Sequence, residues 1–365
     1  MKANSEAPVL KALAPIVHGF EAASLGEIEK VRAVDLEIAV IFGGPAKTDD
    51  EIAGAIGYRV SLLHVESLHE LQRIEYIAGQ LQTVVPILLR VNLRGPLSAA
   101  QLQMAGVPTQ FGIDEVRVAE AIRLARRLPH VDLQGFHFHS MSNNLDAAGH
   151  VRFVDLCIRK SQEWASEFRL PLSYLNAGGG IGVNYQDVEQ QFDWDAFTSG
   201  LDRMIREQEM LAGMMEPARM GAVSQDQGLP AGSLLFECGR YLTAACGYYA
   251  AEVVDIKQNH GKQFAVVRGG SHHFRLPAAW KQSHPFTVVP VEEWHYPFPR
   301  PELRDSAITV AGELCTPNDV LARDVFVPRV RIGDVILFRY AGAYGWSISH
   351  HDFLSHPHPE HIFLE

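Results

Sequence analysis

Cysteine is scarce in this chain of 365 residues: there are four, Cys157, Cys238, Cys246 and Cys315, and no two form a CxxC pair. A protein this long needs no disulfide framework, so all four are expected to be reduced. Long apolar runs are absent too, since nothing approaches eighteen consecutive apolar residues, and the amino terminus has no basic segment leading into an apolar one. Neither a membrane span nor a signal peptide is expected, and the cytoplasm is the default compartment. Positive charge is in deficit, with 32 Lys and Arg against 43 Asp and Glu, a formal net charge of -11 and no basic stripe. That speaks against a nucleic-acid surface, which must neutralise phosphates.

What is present is a globular composition, 47% hydrophobic and 21% charged, enough to bury a large core, together with 17 histidines. From Leu10 to about Pro230 short apolar runs (38–42, 60–65, 85–91, 133–138, 172–176) alternate with helical patterns (24–34, 48–56, 67–78, 113–127, 147–167). Regular βα spacing over this length predicts a TIM-type (β/α)8 barrel. Ser24 and Ser67 stand as N-caps, with Glu27 and Glu70 three residues on in capping-box register. After residue 240 the helical pattern fades into β-rich runs at 248–256, 263–267, 287–290, 307–311 and 334–338. The expected organisation is a barrel domain over 1–246 and a mostly β domain over 247–365.

Several short motifs carry chemistry. Gly178-Gly179-Gly180 follows an apolar strand, where it reads either as a simple turn or as a phosphate cradle at a barrel strand's carboxyl end. His137 and His139 share one face of a strand. They could be metal ligands of a barrel hydrolase, although further ligands are not evident. They could equally be packed residues, or His139 could stack on a flat cofactor with Ser142 bonding its phosphate. Glu237-Cys238-Gly239-Arg240 puts a carboxylate after a strand, either as a structural ion pair or as a partner for a pyridine nitrogen. Cys315, in the polar turn Gly312–Asp319, is an inert thiol or a proton donor. Tyr344, between Gly342 and Gly345, is a packed aromatic or a phosphate ligand.

In this order and spacing the motifs resemble the pyridoxal-phosphate decarboxylases of the alanine-racemase fold that act on diaminopimelate, ornithine and arginine. Lys2-Ala3-Asn4 matches the family's lysine motif, and His139, Ser142 and the three glycines match in turn. Phe111-Gly112-Ile113 matches as well, and so do Glu237 to Arg240 with Cys238 in place of proline, Gly312 to Cys315, and Gly342 to Tyr344.

The resemblance implies pyridoxal phosphate bound covalently by Lys2, with His139 on its ring and Glu237 against its ring nitrogen. Ser142, Gly178, Gly179, Gly180, Gly239, Arg240 and Tyr344 would hold the phosphate end. It also implies a homodimer with shared active sites, in which Cys315 of one subunit returns a proton to Cα in the other.

Family members acting on basic amino acids carry an acidic residue directly after this cysteine; here it is Thr316. Together with His273 and Arg275 this implies a substrate with a neutral or anionic distal group, and His273, Arg275, Thr316 and Asp319 are the residues expected to bind it. The chain is closest to the siderophore-assembly branch, which acts on citryl-diaminopropionate or citryl-serine conjugates. A diaminopimelate or other basic amino-acid decarboxylase, a racemase, a metal-dependent hydrolase and an inactive binding protein are the alternatives. Because relatives carry several tens of residues before the lysine, the first barrel strand is expected to be missing and Lys2 to be poorly anchored.

Overall fold

A computed structural model describes residues 1–95, 102–103, 108–212, 229 and 232–364, the side chains of 102–103 and 208–212 excepted. The chain forms two compact units: Met1, Ser5–Gly182 and Phe192–Cys238 make the first, and Lys2–Asn4, Val183–Gln191 and Gly239–Glu365 the second.

In the first unit the strands Gly19–Ala22, Ala39–Phe42, Leu62–Val65, Val85–Asn92, Val131–Phe138, Tyr174–Asn176 and Ser233–Leu235 lie side by side in chain order, and Ile113–Asp114 also pairs with Val85–Asn92. Every pairing is parallel. Strands in chain order, joined by helices such as Leu25–Val34, Asp49–Gly57, Leu68–Gln80 and Ala147–Phe168, are the repeated βα units of a curled, barrel-type sheet. Ala39–Phe42 and Leu62–Val65 are buried at all four positions, as a parallel sheet covered on both faces requires. Among the described residues the two outermost strands, Gly19–Ala22 and Ser233–Leu235, each pair with one neighbour only.

Alternate residues sort onto the two faces. Val40, Phe42, Leu63, Val65, Ile87 and Leu89 join the large core that includes Ile28, Ile52, Ile74 and Ile122 from the helices. Ala39, Ile41, Leu62, Leu88 and Tyr174 form a separate small cluster on the other face. Two residues further along their strands, that face carries His64, Arg90 and Asn176. The period of two therefore sets a polar tier directly beyond an apolar one.

The helix starts show a local departure from the sequence expectation. Ser24 and Ser67 do cap their helices, accepting from Glu27 N at 3.2 Å and Glu70 N at 3.0 Å. The reciprocal bonds miss the cap residue, because Glu27 and Glu70 accept instead from the N–H of Ala23 and Glu66, one position upstream. Among the described residues only Thr48 with Glu51 closes a complete box. The helix expected over 113–127 is shorter, Val118–Ala125, because Ile113–Asp114 is drawn into the sheet and Asp114 caps a single tight turn after it.

His150 lies among the rings of Phe153, Phe192 and Phe197, and burial pushes its pKa from 6.5 down to about 4. The native state binds this ring neutral, so its contribution is complete above pH 6.5 and is lost as pH falls toward 4. A shift of that size corresponds to about 3 kcal/mol. Urea midpoints between pH 7 and pH 4 are expected to fall for the wild type and to fall less for His150→Gln; equal slopes would contradict this.

In the second unit a six-stranded sheet runs in the order Phe286–Val289, Val335–Phe338, Tyr249–Asn259, Lys262–Val267, Glu302–Ala311, Val320–Arg331. All pairings are antiparallel except that of Lys262–Val267 with Glu302–Ala311. Its core contains Val253, Val267, Phe274, Ile308, Val310, Leu321 and Phe338. Among the described residues no helix is long and apolar enough to cross a membrane, and all four cysteines are free.

Candidate active site

In the first unit Glu237 follows the strand Ser233–Leu235 and gathers polar groups from two other strand ends. Asn176 Nδ2 donates to its Oε1 at 2.8 Å, and His139 Nδ1 lies 3.2 Å from Oε2. His137 Nε2 is 3.3 Å from Oε1 without hydrogen-bond geometry. Asn176 is a hub: its second amide hydrogen points to His64 Nε2 at 3.3 Å, and its Oδ1 accepts from Gly178 N at 2.8 Å. Burial opposes charge on Glu237, yet His137 and His139 hold its carboxyl well below the usual carboxylate range. Burial pushes the pKa of His137 and of His64 down, while Glu237 pulls both back up.

The three glycines are required by close backbone approach. Gly178 and Gly180 have φ of 72° and 102°, in the left-handed region that favours glycine. A Cβ at Gly178 would collide with the carbonyl of Phe138, and one at Gly179 with that of Glu237. The loop threads between strand ends, and the Gly179 N–H points at His139 Nδ1, 3.3 Å away. Ser142 is half-buried in the two-residue strand Met141–Ser142.

Around this tier stand two buried ion pairs that sequence reasoning missed. Lys47 meets Glu70 at 2.6 Å and also donates to the carbonyls of Gly44 and His64. Arg90 meets Glu66 at 2.6 Å, and the other Glu66 oxygen accepts from Gly112 N, in the Phe-Gly-Ile motif. The sequence signal was the alternation itself, since Arg90 and His64 interrupt otherwise apolar strands.

His64, His137 and Glu237 bring their ligand atoms within 4.8 Å of one another, a metal-like grouping. The chemistry disfavours a cation. The two rings stack at 3.8 Å between centroids and 21° between planes, so their lone pairs cannot converge on one ion. Lys47 and Arg90 also place positive charge nearby, which lowers the His64 pKa further.

The second unit holds the remaining motif residues. Lys2-Ala3-Asn4 is strapped to the 342–347 turn: Tyr344 N donates to Ala3 O at 2.8 Å, Asn4 Nδ2 to Gly342 O at 2.9 Å, and Ser347 Oγ to Ala3 O at 3.2 Å. Ala3 is buried in this unit's core, while Lys2 is exposed. The expectation of a poorly anchored lysine is corrected, because a short backbone strap and one buried methyl hold it.

Gly239 packs against Ala3, whose Cβ would sit 3.2 Å from a Cβ added there. Arg240, buried, lies in an aromatic enclosure, 4.5 Å from the Trp280 ring centre and 4.6 Å from that of Tyr344, and donates to Tyr185 Oη at 3.2 Å. It has no carboxylate partner among the described residues.

Cys315 is exposed on a loop organised by Asp319. Asp319, expected at the substrate, is buried, and its two oxygens accept from Ser271 N at 2.6 Å and Leu314 N at 2.9 Å. Thr316 is half-buried beside it. Arg275 is exposed with Nη1 3.3 Å from His350 Nδ1, and His273 lies between Tyr249 Oη and Pro357 O.

Residues 1–244 match the family described as pyridoxal-dependent decarboxylase, pyridoxal binding domain. The chain belongs to the pyridoxal-dependent decarboxylases. A Staphylococcus aureus relative, 2-[(L-alanin-3-ylcarbamoyl)methyl]-2-hydroxybutanedioate decarboxylase, is 48% identical over 364 residues, covering 100% of this chain and 86% of that protein. Diaminopimelate decarboxylase from Vibrio cholerae is 28% identical, over 96% of this chain and 76% of that one. The Helicobacter pylori diaminopimelate decarboxylase structure superposes with a TM-score of 0.80 at 26% identity, covering 98% of this chain and 82% of that one.

The enzyme is thus a pyridoxal-phosphate-dependent carboxy-lyase of the alanine-racemase fold, acting on an amino-acid-derived small molecule. The residues fit the cofactor. A buried guanidinium without an acidic partner calls for an anion, and a carboxylate held ionised suits a protonated pyridine nitrogen.

Proposed function

We propose that this decarboxylase acts on an amino acid whose side chain ends in a citrate-like polycarboxylate joined through an amide or an ester. The observation that carries the reading is 48% identity along the whole chain to a relative whose name describes such a molecule, an alanine linked at C3 through a carbamoyl group to a hydroxybutanedioate. Two local features support it. Thr316 stands where an acidic residue would meet a distal ammonium, and the exposed Arg275 guanidinium has, among the described residues, only the His350 ring as a side-chain partner, whose pKa burial and Arg275 lower. A fork of N–H donors suits carboxylates.

When bound, pyridoxal phosphate supplies the electron sink for the carbanion left by loss of carbon dioxide. In this reading Lys2 would hold the cofactor covalently, and Glu237 would keep its pyridine nitrogen protonated. His139 covers the ring. Ser142, Gly178 to Gly180, Gly239, Arg240 and Tyr344 bind the phosphate. Cys315 returns a proton to Cα, and Arg275, His273 and Thr316 face the distal end of the substrate. The enzyme works as a cytoplasmic homodimer with shared active sites; sedimentation as a monomer at assay concentration would contradict the dimer.

Carbon dioxide release from citryl-diaminopropionate, citryl-serine and meso-diaminopimelate tests the substrate. The citryl conjugates are expected to exceed diaminopimelate in kcat/KM by at least about 100-fold, and Arg275→Ala to raise KM for them about tenfold with kcat little changed. Preference for diaminopimelate would return the enzyme to that activity, and inversion at Cα without gas would make it a racemase.

A further inference from the structure

Three side chains that the decarboxylation does not use meet in the second unit: His272, Glu313 and His356, with ligand-capable atoms all within 4.8 Å of one another. His272 Nε2 and His356 Nδ1 lie 3.7 Å and 3.6 Å from the same oxygen, Glu313 Oε1. Zinc binds histidine nitrogen and carboxylate oxygen at about 2.0–2.2 Å in a tetrahedron, which sets neighbouring donors about 3.3–3.6 Å apart. The two measured separations are already close to that edge.

Two of the donors are also placed as ligands would be. His272 is fully buried, yet neither ring nitrogen has a hydrogen-bond partner, an arrangement that native interiors rarely leave unanswered. Glu313 Oε1 is oriented by the N–H of Gly269 at 2.8 Å, the kind of outer support that fixes a metal-binding carboxylate. Glu313 and His356 line a cavity of about 830 Å³ within this unit, together with His273, His358 and Tyr249. The cavity gives an ion a way in and room for a remaining water ligand.

We propose that His272, Glu313 and His356 bind one divalent transition-metal ion of the zinc class. The ion joins three separate pieces of chain: the loop after Lys262–Val267, the loop after Glu302–Ala311, and the carboxyl-terminal segment. Since Cys315 follows Glu313 by two residues, occupancy fastens the terminal segment to the loop that carries the thiol. The site is a clamp, and the inference does not depend on which amino acid is decarboxylated.

Equilibrium dialysis of the chelator-treated, cofactor-loaded enzyme against zinc chloride, with metal analysis of the retained protein, tests this. The wild type is expected to retain one equivalent per chain. His356→Ala and Glu313→Gln should each weaken binding tenfold or more, while His358→Ala, whose ring lines the same cavity outside the trio, should bind as the wild type does. Failure to retain an equivalent would overturn the proposal, and so would retention unchanged in both His356→Ala and Glu313→Gln, which would put the ion elsewhere among the 17 histidines. Because the readout is metal content, a negative result is separable from any failure of the substrate assignment.

Discussion

Lys2→Ala is expected to cut decarboxylation by at least about 10³-fold, a barrier increase of about 4 kcal/mol or more. The lysine amine is the one group expected to hold the cofactor covalently, and no neighbouring residue can replace a covalent nucleophile. Folding should be nearly unaffected. The Lys2 side chain is exposed, and the strap that fixes the segment is made by the backbone of Ala3, the Asn4 amide and the buried Ala3 methyl. An exposed side chain outside such contacts usually changes stability by less than about 0.5 kcal/mol. Loss of activity with an unchanged melting temperature and loss of cofactor absorbance is therefore the expected pattern. Activity within tenfold of the wild type would remove Lys2 from the mechanism.

Glu237→Gln is expected to lower kcat about 10²- to 10³-fold while leaving the fold intact. Glutamine keeps the shape and can still accept from Asn176 Nδ2, so the bond at 2.8 Å survives the change. What it removes is the negative charge that burial opposes and that His137 and His139 sustain. Without it, the pyridine nitrogen has no reason to stay protonated and the ring accepts electrons poorly. Because the charge acts on the chemical step, kcat should fall far more than KM rises. An unchanged kcat would mean that another group protonates the ring. A parallel loss of thermal stability would mean that the carboxylate is structural.

Much of this site was legible in the sequence because its chemistry is written in short, contiguous strings. The glycine loop, Glu237 to Arg240 and Gly312 to Cys315 occupy single turns at strand ends, where spacing alone fixes their placement. The strands read well for a related reason: 85–91 is apolar but for Arg90, 133–138 keeps Leu133, Phe136 and Phe138, and the observed strands Val85–Asn92 and Val131–Phe138 extend these runs by only one or two residues.

Residues whose roles depend on distant partners were invisible. Asn176 works by joining His64, Glu237 and Gly178, and no local pattern reports a three-way hydrogen bond. Lys47 and Glu70 are 23 residues apart, and Arg90 and Glu66 are 24 apart; each looks like an ordinary charge until the sheet brings the pair together. Asp319 reads in the sequence as a substrate contact, and no local pattern reports that its two oxygens accept from the backbone N–H groups of Ser271 and Leu314. The strand Val320–Arg331 escaped because it carries Asp324 at φ 52° and Pro328 inside a charged, half-exposed run. Register shifts against Glu302–Ala311 blur its alternation further.

Lys47 is the sharpest internal control on the central claim. It is a second lysine in the cofactor-binding part of the chain, but it is buried, ion-paired to Glu70 and bonded to two carbonyls, so its amine is committed. Borohydride reduction of the enzyme loaded with pyridoxal phosphate, followed by peptide mass spectrometry, decides between them. One reduced cofactor per chain is expected, on the side chain of Lys2. Attachment to Lys47, to the Met1 amine or to no lysine at all would contradict it.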